Sequence, residues 1–321
     1  MKKNSPMRKC FEVVNAISNA KSILLTSHER IDGDSIGAAI ALIEAGKKIN
    51  KEIYYFAPDE LPTLYDFIPN ISLLRRPIPN IEFDLAIVLD TSYKDRLGKA
   101  RQTFESLPKI VIDHHEGEGD IEGIRLNDPS AASVTVLVLE LLDELEIELD
   151  ISIALPLYVG VFTDSWSFQQ SNTDSRAMRC AARLIDAGAK PFDVATSFFE
   201  SKSLSAIRLM GRAMERSKIE GNILWSYLLK SDFDELGAAE QDTEGIITSL
   251  RAASGIRVAI LFRELDQNKI KVNFRSKDDT NVAEVARHFG GGGHRAAAGC
   301  TVDGTLDEVR KKVVHLFSAA K

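Results

Sequence analysis

The sequence has few cysteines and no long apolar run. Three of its 321 residues are cysteine, namely Cys10, Cys180 and Cys300, and they form no C-x-x-C pair. A disulfide framework or a thiolate zinc site is therefore not expected, and a reducing cytoplasm is the expected location. No segment approaches the roughly 20 apolar residues of a membrane span. The basic N-terminus lacks a long apolar core, so we expect no signal peptide.

The chain also lacks an excess of positive charge. It carries 40 basic and 47 acidic residues, for a net charge of −7. Wrapping of long nucleic acid depends on neutralising many phosphates, so this balance argues against it. The charge is uneven, because residues 251–295 hold nine Arg or Lys against five Asp or Glu. An acidic half and a locally basic segment suit a metal site that faces an anionic substrate.

The length predicts two domains of ordinary size. In the first half, strand-like and helical patterns alternate: "SILLTSH", "KEIYYFA", "FDLAIVLDTS" and "KIVIDHH" are strand-like, and "DSIGAAIALIEAGKK" is helical with Asp34 at its N-cap. Continuous apolar strands joined by helices predict a parallel sheet with helices on both faces. We therefore predict an α/β domain over 1–190, a helical linker over 191–220 and a smaller α+β domain over 221–321.

Ionisable residues follow the apolar runs of the first domain. Ligand sites gather at the carboxyl ends of parallel strands, so these side chains are predicted to converge. They lie in "SHERIDGDS", "VLDTS", "VIDHHEG" and, after an apolar helical run, "GVFTDSWSF": His28, Asp32, Asp34, Asp90, Asp113, His114, His115 and Asp164. Each segment alone has a plainer explanation, such as a polar loop or a helix N-cap. Together they indicate one site.

Five carboxylates in one cleft need a counter-charge, because negative charges at such short distances raise the pKa of one another's carboxyl groups. Divalent cations supply that charge. Mixed His and Asp ligands without Cys suit manganese, zinc or iron. The number of ligands is sufficient for two metals, and two metals ~3.5–4 Å apart are a standard device of phosphoryl chemistry.

The stretch "GGGGHRAAAGC", residues 290–300, follows the helical pattern "TNVAEVARHF". Glycines let backbone N–H groups approach an anion closely. The plainer interpretation is a helix C-cap, for which one glycine is enough. Four glycines followed by His-Arg favour anion binding.

These motifs resemble a known family. H-x-x-x-D-x-D, a strand-end Asp, D-H-H and a later Asp resemble the DHH phosphoesterase superfamily. "GGGGHRAAAGC" resembles the signature of its DHH-associated C-terminal domain. The compact length resembles most the bacterial nanoRNase and 3′-phosphoadenosine-5′-phosphate phosphatase group.

The resemblance implies a role for each motif residue. One metal would be held by His28, Asp32 and Asp90, and a second by Asp34, Asp90, His114 and Asp164; manganese is the family's usual metal. Asp113 and His115 would be the catalytic pair: Asp113 would orient a histidine, and His115 would face the substrate phosphate. The implied substrate contacts are Arg275, Ser276, Gly291, Gly292, Gly293, His294 and Arg295.

The implied function is hydrolysis of 5′-phosphorylated di- to pentanucleotides to nucleoside 5′-monophosphates, with 3′-phosphoadenosine 5′-phosphate as a second substrate. A cyclic-dinucleotide phosphodiesterase and a non-catalytic nucleotide sensor remain alternatives. The C-terminal motif argues against an inorganic pyrophosphatase, and the short chain argues against an exonuclease for long DNA. We expect a cytoplasmic protein that binds no membrane, and a homodimer as is frequent in the family. Digestion polarity, the preferred substrate and the metal are left open by the sequence.

Overall fold

The computed structural model describes residues 6–200, 202–266, 268–277 and 280–319. The chain forms two compact units, Met1–Glu200 and Ser201–Lys321. No helix in the described ranges is both long and apolar enough to cross a membrane.

The first unit is built on a parallel sheet with the strand order β2-β1-β3-β4-β5. Its strands are β1 (Ser22–Thr26), β2 (Glu52–Tyr55), β3 (Leu85–Leu89), β4 (Lys109–Asp113) and β5 (Ile124–Asn127). The three central strands are buried along almost their whole length, as their continuous apolar sequence predicts. The predicted α/β class is confirmed. The short edge strand β5 was not predicted, because its polar sequence lacks an apolar run.

Helices connect and flank these strands. They are α1 (Pro6–Asn19), α2 (Gly33–Lys48), α3 (Arg101–Phe104), α4 (Val134–Glu144), α5 (Ile151–Asp164), α6 (Ser175–Asp186) and α7 (Pro191–Phe199). Short 3₁₀ segments add Thr63–Tyr65, Ile71–Arg75 and Lys94–Ala100.

The two faces of the sheet are covered differently. Ile23 and Leu25 of β1 belong to the main core, together with buried residues of α2, α4 and α5. Leu24, between them, points to a smaller core that includes Phe104 of α3. This alternation follows from the period of two in a strand. The long helices therefore lie on one face, and short helical segments cover the other.

Helix α2 begins two residues earlier than the sequence predicts. Its N-cap is Asp32, whose side chain accepts a hydrogen bond from the backbone N–H of Ser35, 3.0 Å away. The prediction of Asp34 as the N-cap is wrong. Both aspartates are suitable caps by residue type, and tertiary contacts decide between them, because Asp34 is buried against the start of α4.

The second unit contains a mixed sheet with the order β10-β11-β9-β8-β7-β6. Its strands are β6 (Lys218–Glu220), β7 (Ile223–Leu228), β8 (Val258–Asp266), β9 (Lys269–Ser276), β10 (Gly292–His294) and β11 (Ala297–Asp303). Its helices are α8 (Leu204–Glu215), α9 (Lys230–Leu236), α10 (Ile246–Arg251), α11 (Val282–His288) and α12 (Leu306–Ala319), with a 3₁₀ turn at Glu240–Thr243. In the span 191–220, α7 belongs to the first unit and α8 to the second.

Each face of this second sheet has its own core. Phe262 and Phe274 pack with α11 and α12 on one face. Leu261 packs with Leu209 of α8 and Leu250 of α10 on the other. The burial pattern of β9 alternates strictly, as the period of two in its sequence predicts.

In the first unit, α2 and α5 approach closely through glycine. A Cβ on Gly37 would lie 2.2 Å from the carbonyl oxygen of Pro156 in α5, and a Cβ on Gly160 would lie 2.9 Å from Oδ1 of Asp34 in α2. Both positions thus have no room for a methyl group. The contact fixes α2, which begins at Asp32, against α5, which ends at Asp164.

We predict that Gly37→Ala destabilises the protein by about 1–3 kcal/mol, because the new methyl group meets backbone that cannot move aside. The matched control is Gly211→Ala, since Gly211 also lies inside a helix but has no atom within 4 Å of its Cβ position. That change should stabilise by about 0.5–1 kcal/mol. Urea unfolding followed by circular dichroism measures both. Equal midpoints for the two variants would contradict the close crossing.

Candidate metal centre

The parallel sheet brings three strand ends to one edge. His28 lies two residues beyond β1, Asp90 directly follows β3, and Asp113 is the last residue of β4. His114 follows immediately, and Asp164 ends α5. Because parallel strands share one carboxyl edge, residues far apart in sequence meet there.

One group of ligand-type atoms is formed by His28, Asp32 and Asp90. Nε2 of His28 lies 3.1 Å from Oδ2 of Asp90 and 3.6 Å from Oδ2 of Asp32. His28 and Asp90 are buried, whereas the side chain of Asp32 is partly exposed. The three atoms are close enough to share one cation.

A second group is formed by Asp34, His114 and Asp164. Nε2 of His114 lies 3.5 Å from Oδ2 of Asp164 and 3.8 Å from Oδ2 of Asp34. Asp34 is fixed by the start of α4, where it accepts hydrogen bonds from the backbone N–H groups of Val134 at 2.6 Å and Thr135 at 3.0 Å.

Asp90 connects the two groups through its two carboxylate oxygens. Oδ2 faces His28, and Oδ1 lies 3.4 Å from Nε2 of His114. Its backbone is left-handed, with φ of 61°, and its N–H donates to Ile112 O at 2.9 Å. Left-handed backbone is uncommon for a residue other than glycine and is retained mainly where the surroundings impose it, often at functional sites.

The hydrogen bonds of both histidines fit cation ligands. Nδ1 of His28 lies 2.7 Å from the carbonyl oxygen of Glu29, and Nδ1 of His114 lies 3.2 Å from that of Ala131. A carbonyl can only accept, so Nδ1 carries the proton, and in the neutral ring Nε2 presents a lone pair to the carboxylates. Lone pairs facing carboxylate oxygens repel unless a cation lies between them. Oδ1 of Asp90 is also buried without a hydrogen-bond partner among the described residues.

Without a cation, the protein can balance these charges only with protons. Burial alone lowers the pKa of His28 and His114, but hydrogen bonds and nearby carboxylates raise it to about 10 for both. Burial and the charges of Asp90 and Asp164 raise the pKa of Asp34 well above its usual value. Burial raises the pKa of Asp164 to about 6, although His114 opposes the shift. The cluster thus holds more carboxylate charge than its histidines can neutralise.

Asp113 forms a pair with His115. It is only 1% exposed, and its Oδ1 accepts from Nδ1 of His115 at 2.8 Å and from the backbone N–H of His115 at 3.1 Å. Burial raises the pKa of Asp113, but its hydrogen bonds lower it by more, so the carboxylate stays ionised. The pair fixes the ring of His115, whose side chain is 44% exposed, with Nε2 as the outer nitrogen.

Two serines of this cluster were not predicted from the sequence. Ser35 Oγ donates to Asp90 Oδ2 at 3.1 Å and lies 3.2 Å from His28 Nε2. Ser92 Oγ donates to Asp113 Oδ2 at 2.6 Å. Each stands one or two residues after a predicted aspartate, and that position was the available signal. Serine is so common beside acidic residues that this position is not a specific signal.

In the second unit, Arg275 and Ser276 lie on opposite faces of β9. Arg275 pairs with Ala259, which belongs to the core of α8 and α10, whereas Ser276 pairs with Val258 of the other core. Ser276 is 2% exposed, and its Oγ has no hydrogen-bond partner in the described part of the chain. The structure therefore does not bring these two predicted substrate contacts to one surface.

Arg275 has a cationic neighbour that sequence reasoning missed. Burial lowers the pKa of Arg275, and the charge of Arg251, the last residue of α10, lowers it further. Two arginines that repel each other on a half-buried surface favour an anion between them. The available signal was the excess of basic residues over 251–295.

The glycine stretch forms a helix end and one strand of a hairpin. Gly290 has φ of 71° and follows α11, and Gly291 N–H donates to Ala286 O at 2.9 Å. A Cβ on Gly291 or Gly293 would lie 2.3 or 2.5 Å from a carbonyl oxygen of β11. Gly292 has open space where a Cβ would be.

The left-handed backbone of Gly290 and the close packing of Gly291 and Gly293 therefore explain three of the four glycines. The remaining predicted contacts lie nearby. The backbone of His294 pairs with Ala297, and its side chain is outside the described part of the structure. Arg295 lies in the turn between β10 and β11 and is exposed.

Comparison with known proteins gives two family matches. The model of the DHH family, N-terminal domain, matches residues 22–161, and the model of the DHHA1 domain matches residues 220–319. The first match contains every residue of the metal cluster except Asp164, and the second contains the glycine hairpin.

Relatives of similar length align with this chain through both matched regions. The bifunctional oligoribonuclease and PAP phosphatase NrnA of Thermus thermophilus is 30% identical over 313 residues, covering 96% of this chain and 92% of the relative. The protein of the same name from Bacillus subtilis is 28% identical over 315 residues, covering 97% and 98%. An exopolyphosphatase-related protein from Bacteroides fragilis has a similar fold, with a TM-score of 0.85, 23% identity and coverage of 98% and 96%.

Sequence similarity thus extends over nearly the whole chain and through both domains. The predicted resemblance is confirmed: this chain belongs to the DHH phosphoesterase family with a DHHA1 domain, in the group of the bifunctional oligoribonuclease and PAP phosphatase NrnA proteins.

Proposed function

We propose that the chain is a two-metal phosphodiesterase that hydrolyses short 5′-phosphorylated oligonucleotides to nucleoside 5′-monophosphates. The observation that carries this proposal is the division of the Asp90 carboxylate between two groups of acidic and histidine ligands. A carboxylate placed in this way can bridge a pair of adjacent divalent cations, which are a standard device of phosphoryl chemistry. The names of the relatives, oligoribonuclease and PAP phosphatase, support the substrate class.

The proposed ligands are His28, Asp32 and Asp90 for one cation, and Asp34, Asp90, His114 and Asp164 for the other. Manganese fits this donor set, since oxygen and imidazole ligands without thiolate suit it. When bound, two such ions supply Lewis-acid stabilisation of phosphoryl charge and lower the pKa of water. The protein contributes preset geometry, because carbonyl groups fix both histidine rings and the N-terminus of α4 fixes Asp34.

His115 is proposed to contact the reacting phosphate. Its Nδ1–H is held by Asp113, so Nε2 is left to face the substrate. In the protonated ring, Nε2–H donates to a phosphoryl oxygen, where negative charge grows in the transition state. The neighbouring carboxylate of Asp113 stabilises that charged ring and fixes its orientation.

The second unit is proposed to bind a further phosphate of the substrate. Arg275 and Arg251 supply positive charge on one face of the sheet, and Gly292 offers backbone that a ligand can approach. His294 and Arg295, in the same hairpin, are the other proposed contacts. A site that binds one terminal phosphate suits short oligonucleotides. It needs no extended surface of basic residues, in agreement with the net charge of −7.

Removal of the 3′-phosphate from 3′-phosphoadenosine 5′-phosphate is proposed as a second activity of the same site. The relatives that align over the whole chain are named as bifunctional in this sense. The reaction needs the same cations and the same binding site for a second phosphate.

The decisive experiment is a reaction with manganese and the dinucleotide 5′-pApA, resolved by chromatography. We expect release of 5′-AMP that a chelator abolishes. Asp90→Asn should lower turnover by more than about 10²-fold, since it removes charge shared by both cation sites. The protein should bind fewer equivalents of manganese by elemental analysis, while its circular dichroism stays unchanged.

The control for that change is Asp143→Asn, which alters an aspartate of α4 that pairs with Arg183 on the surface. It should turn over substrate like the wild type. Wild-type turnover by Asp90→Asn with its manganese still present would contradict the two-metal assignment. A wild-type protein that binds manganese but releases no AMP would favour the nucleotide sensor.

We predict that Asp113→Asn lowers kcat by about 10- to 100-fold with little change in manganese content, because an amide orients His115 less firmly and does not stabilise its charged ring. Steady-state kinetics and elemental analysis measure the two quantities. Loss of manganese in this variant would instead make Asp113 a metal ligand.

We predict that Arg275→Ala raises KM for 5′-pApA by about 10-fold or more, as expected for loss of a charge-assisted phosphate contact. The manganese content should not change. The control is Arg287→Ala, which removes an exposed arginine of α11, the helix packed on the opposite face of the sheet. An equal KM for both variants would remove Arg275 from the proposed binding surface.

A further inference from the structure

The segment that follows α5 has an unusual backbone. Trp166, Ser167 and Phe168 have φ of 50°, 58° and 63°, so three consecutive residues other than glycine are left-handed. Contact between Cβ and the following carbonyl oxygen disfavours this conformation, and bulky residues adopt it rarely. Such strain persists only where the surroundings impose it, and it is concentrated at functional sites.

Neighbouring groups hold this turn firmly. Ser165 Oγ donates to Val161 O at 2.6 Å and accepts from Phe168 N–H at 3.0 Å. Ser167 N–H donates to Phe162 O at 2.7 Å. The ring of Phe168 lies 6.1 Å from that of Tyr158 and 6.2 Å from that of Phe162. The turn is therefore fixed by Ser165, by Phe168 and by backbone bonds, and the Trp166 side chain is not needed for it.

Trp166 is nevertheless one of the two tryptophans of the chain, and its side chain is 50% exposed. Its ring makes no aromatic contact within the described residues. It stands two residues after Asp164, so the two Cα atoms are at most about 7 Å apart. Asp164 in turn lies 3.5 Å from His114 Nε2. A large, half-exposed π-face thus belongs to a residue whose strained backbone lies beside the candidate metal centre.

We propose that Trp166 binds a nucleobase of the substrate by stacking, next to the phosphodiester that is cleaved. This inference rests on the proposed function and names a substrate contact that the motifs do not include. The bases of short single strands are not paired, and each presents a π-face to an aromatic side chain regardless of its identity. Trp166 therefore binds all four bases, and purines more tightly than pyrimidines because the overlap is larger.

The first test measures KM for 5′-pApA in Trp166→Gly, Trp166→Phe and the wild type. Glycine suits the left-handed backbone, so the unfolding temperature should stay within about 3 °C of the wild type or rise. KM should rise about 5- to 100-fold in Trp166→Gly and less in Trp166→Phe, with a smaller effect on kcat. A dinucleotide that lacks the base beside the cleaved ester should show no difference between variants.

The matched control is Phe192→Ala, which removes another exposed aromatic of the first unit, 74% exposed on α7. It should leave KM unchanged. A KM of Trp166→Gly within twofold of the wild type overturns the proposal. An equal rise in KM for the substrate without the base also overturns it, because the effect would then not come from stacking.

The second test needs no turnover. The other tryptophan, Trp225, is only 5% exposed and lies in the second unit, so Trp225→Phe leaves Trp166 as the sole indole emitter. AMP should quench its fluorescence, and ribose 5-phosphate should not. Quenching by neither or by both overturns the stacking. If the wild type fails to cleave 5′-pApA, the proposed function fails, and this titration still decides whether Trp166 binds a base.

Discussion

The candidate metal centre of the first unit is governed by the repulsion between carboxylates that meet at one edge of its sheet. Asp32, Asp34, Asp90 and Asp164 meet around two imidazole rings whose inner nitrogens face them. Burial leaves little water to screen this charge, so the pKa of Asp34 and that of Asp164 are raised. A protein that gathers such charge without neutralising it loses stability, and bound divalent cations would remove the conflict.

The rest of the fold makes this gathering rigid. Gly37 and Gly160 let α2 and α5 approach until their backbones touch, so Asp34 and Asp164 are set by one helix pair. The N-terminus of α4 directs two N–H groups at Asp34, and backbone carbonyls fix both histidine tautomers. Rigid placement matters because a catalytic ligand that moves by even 1 Å loses most of its effect.

In the second unit, close backbone packing decides which residues the glycine hairpin can contain. Its glycine hairpin brings backbone of β10 against β11, where side chains at Gly291 and Gly293 would collide with carbonyl oxygens. The packing of the hairpin accounts for these glycines without any ligand. Gly292, and the pair Arg251 and Arg275, are the features that packing does not account for. The proposed anion site therefore rests mainly on these three residues, with His294 and Arg295 as its further contacts from the motif.

The sequence by itself determined the α/β class, the buried strands β1, β3 and β4, and the eight candidate site residues of the first unit. Each of these is a local pattern in which an apolar run ends in acids or histidines. The sequence could not decide between Asp32 and Asp34 as the cap of α2, since both are good caps and only the contact of Asp34 with α4 separates them. The family resemblance named Arg275 and Ser276 together as substrate contacts, and the structure places their side chains on opposite faces of β9. The division of Asp90 between two ligand groups, the approach of Arg251 to Arg275 and the left-handed turn at Trp166 were decided by tertiary structure alone. Each depends on distances between residues far apart in the chain or on backbone angles that residue types do not specify.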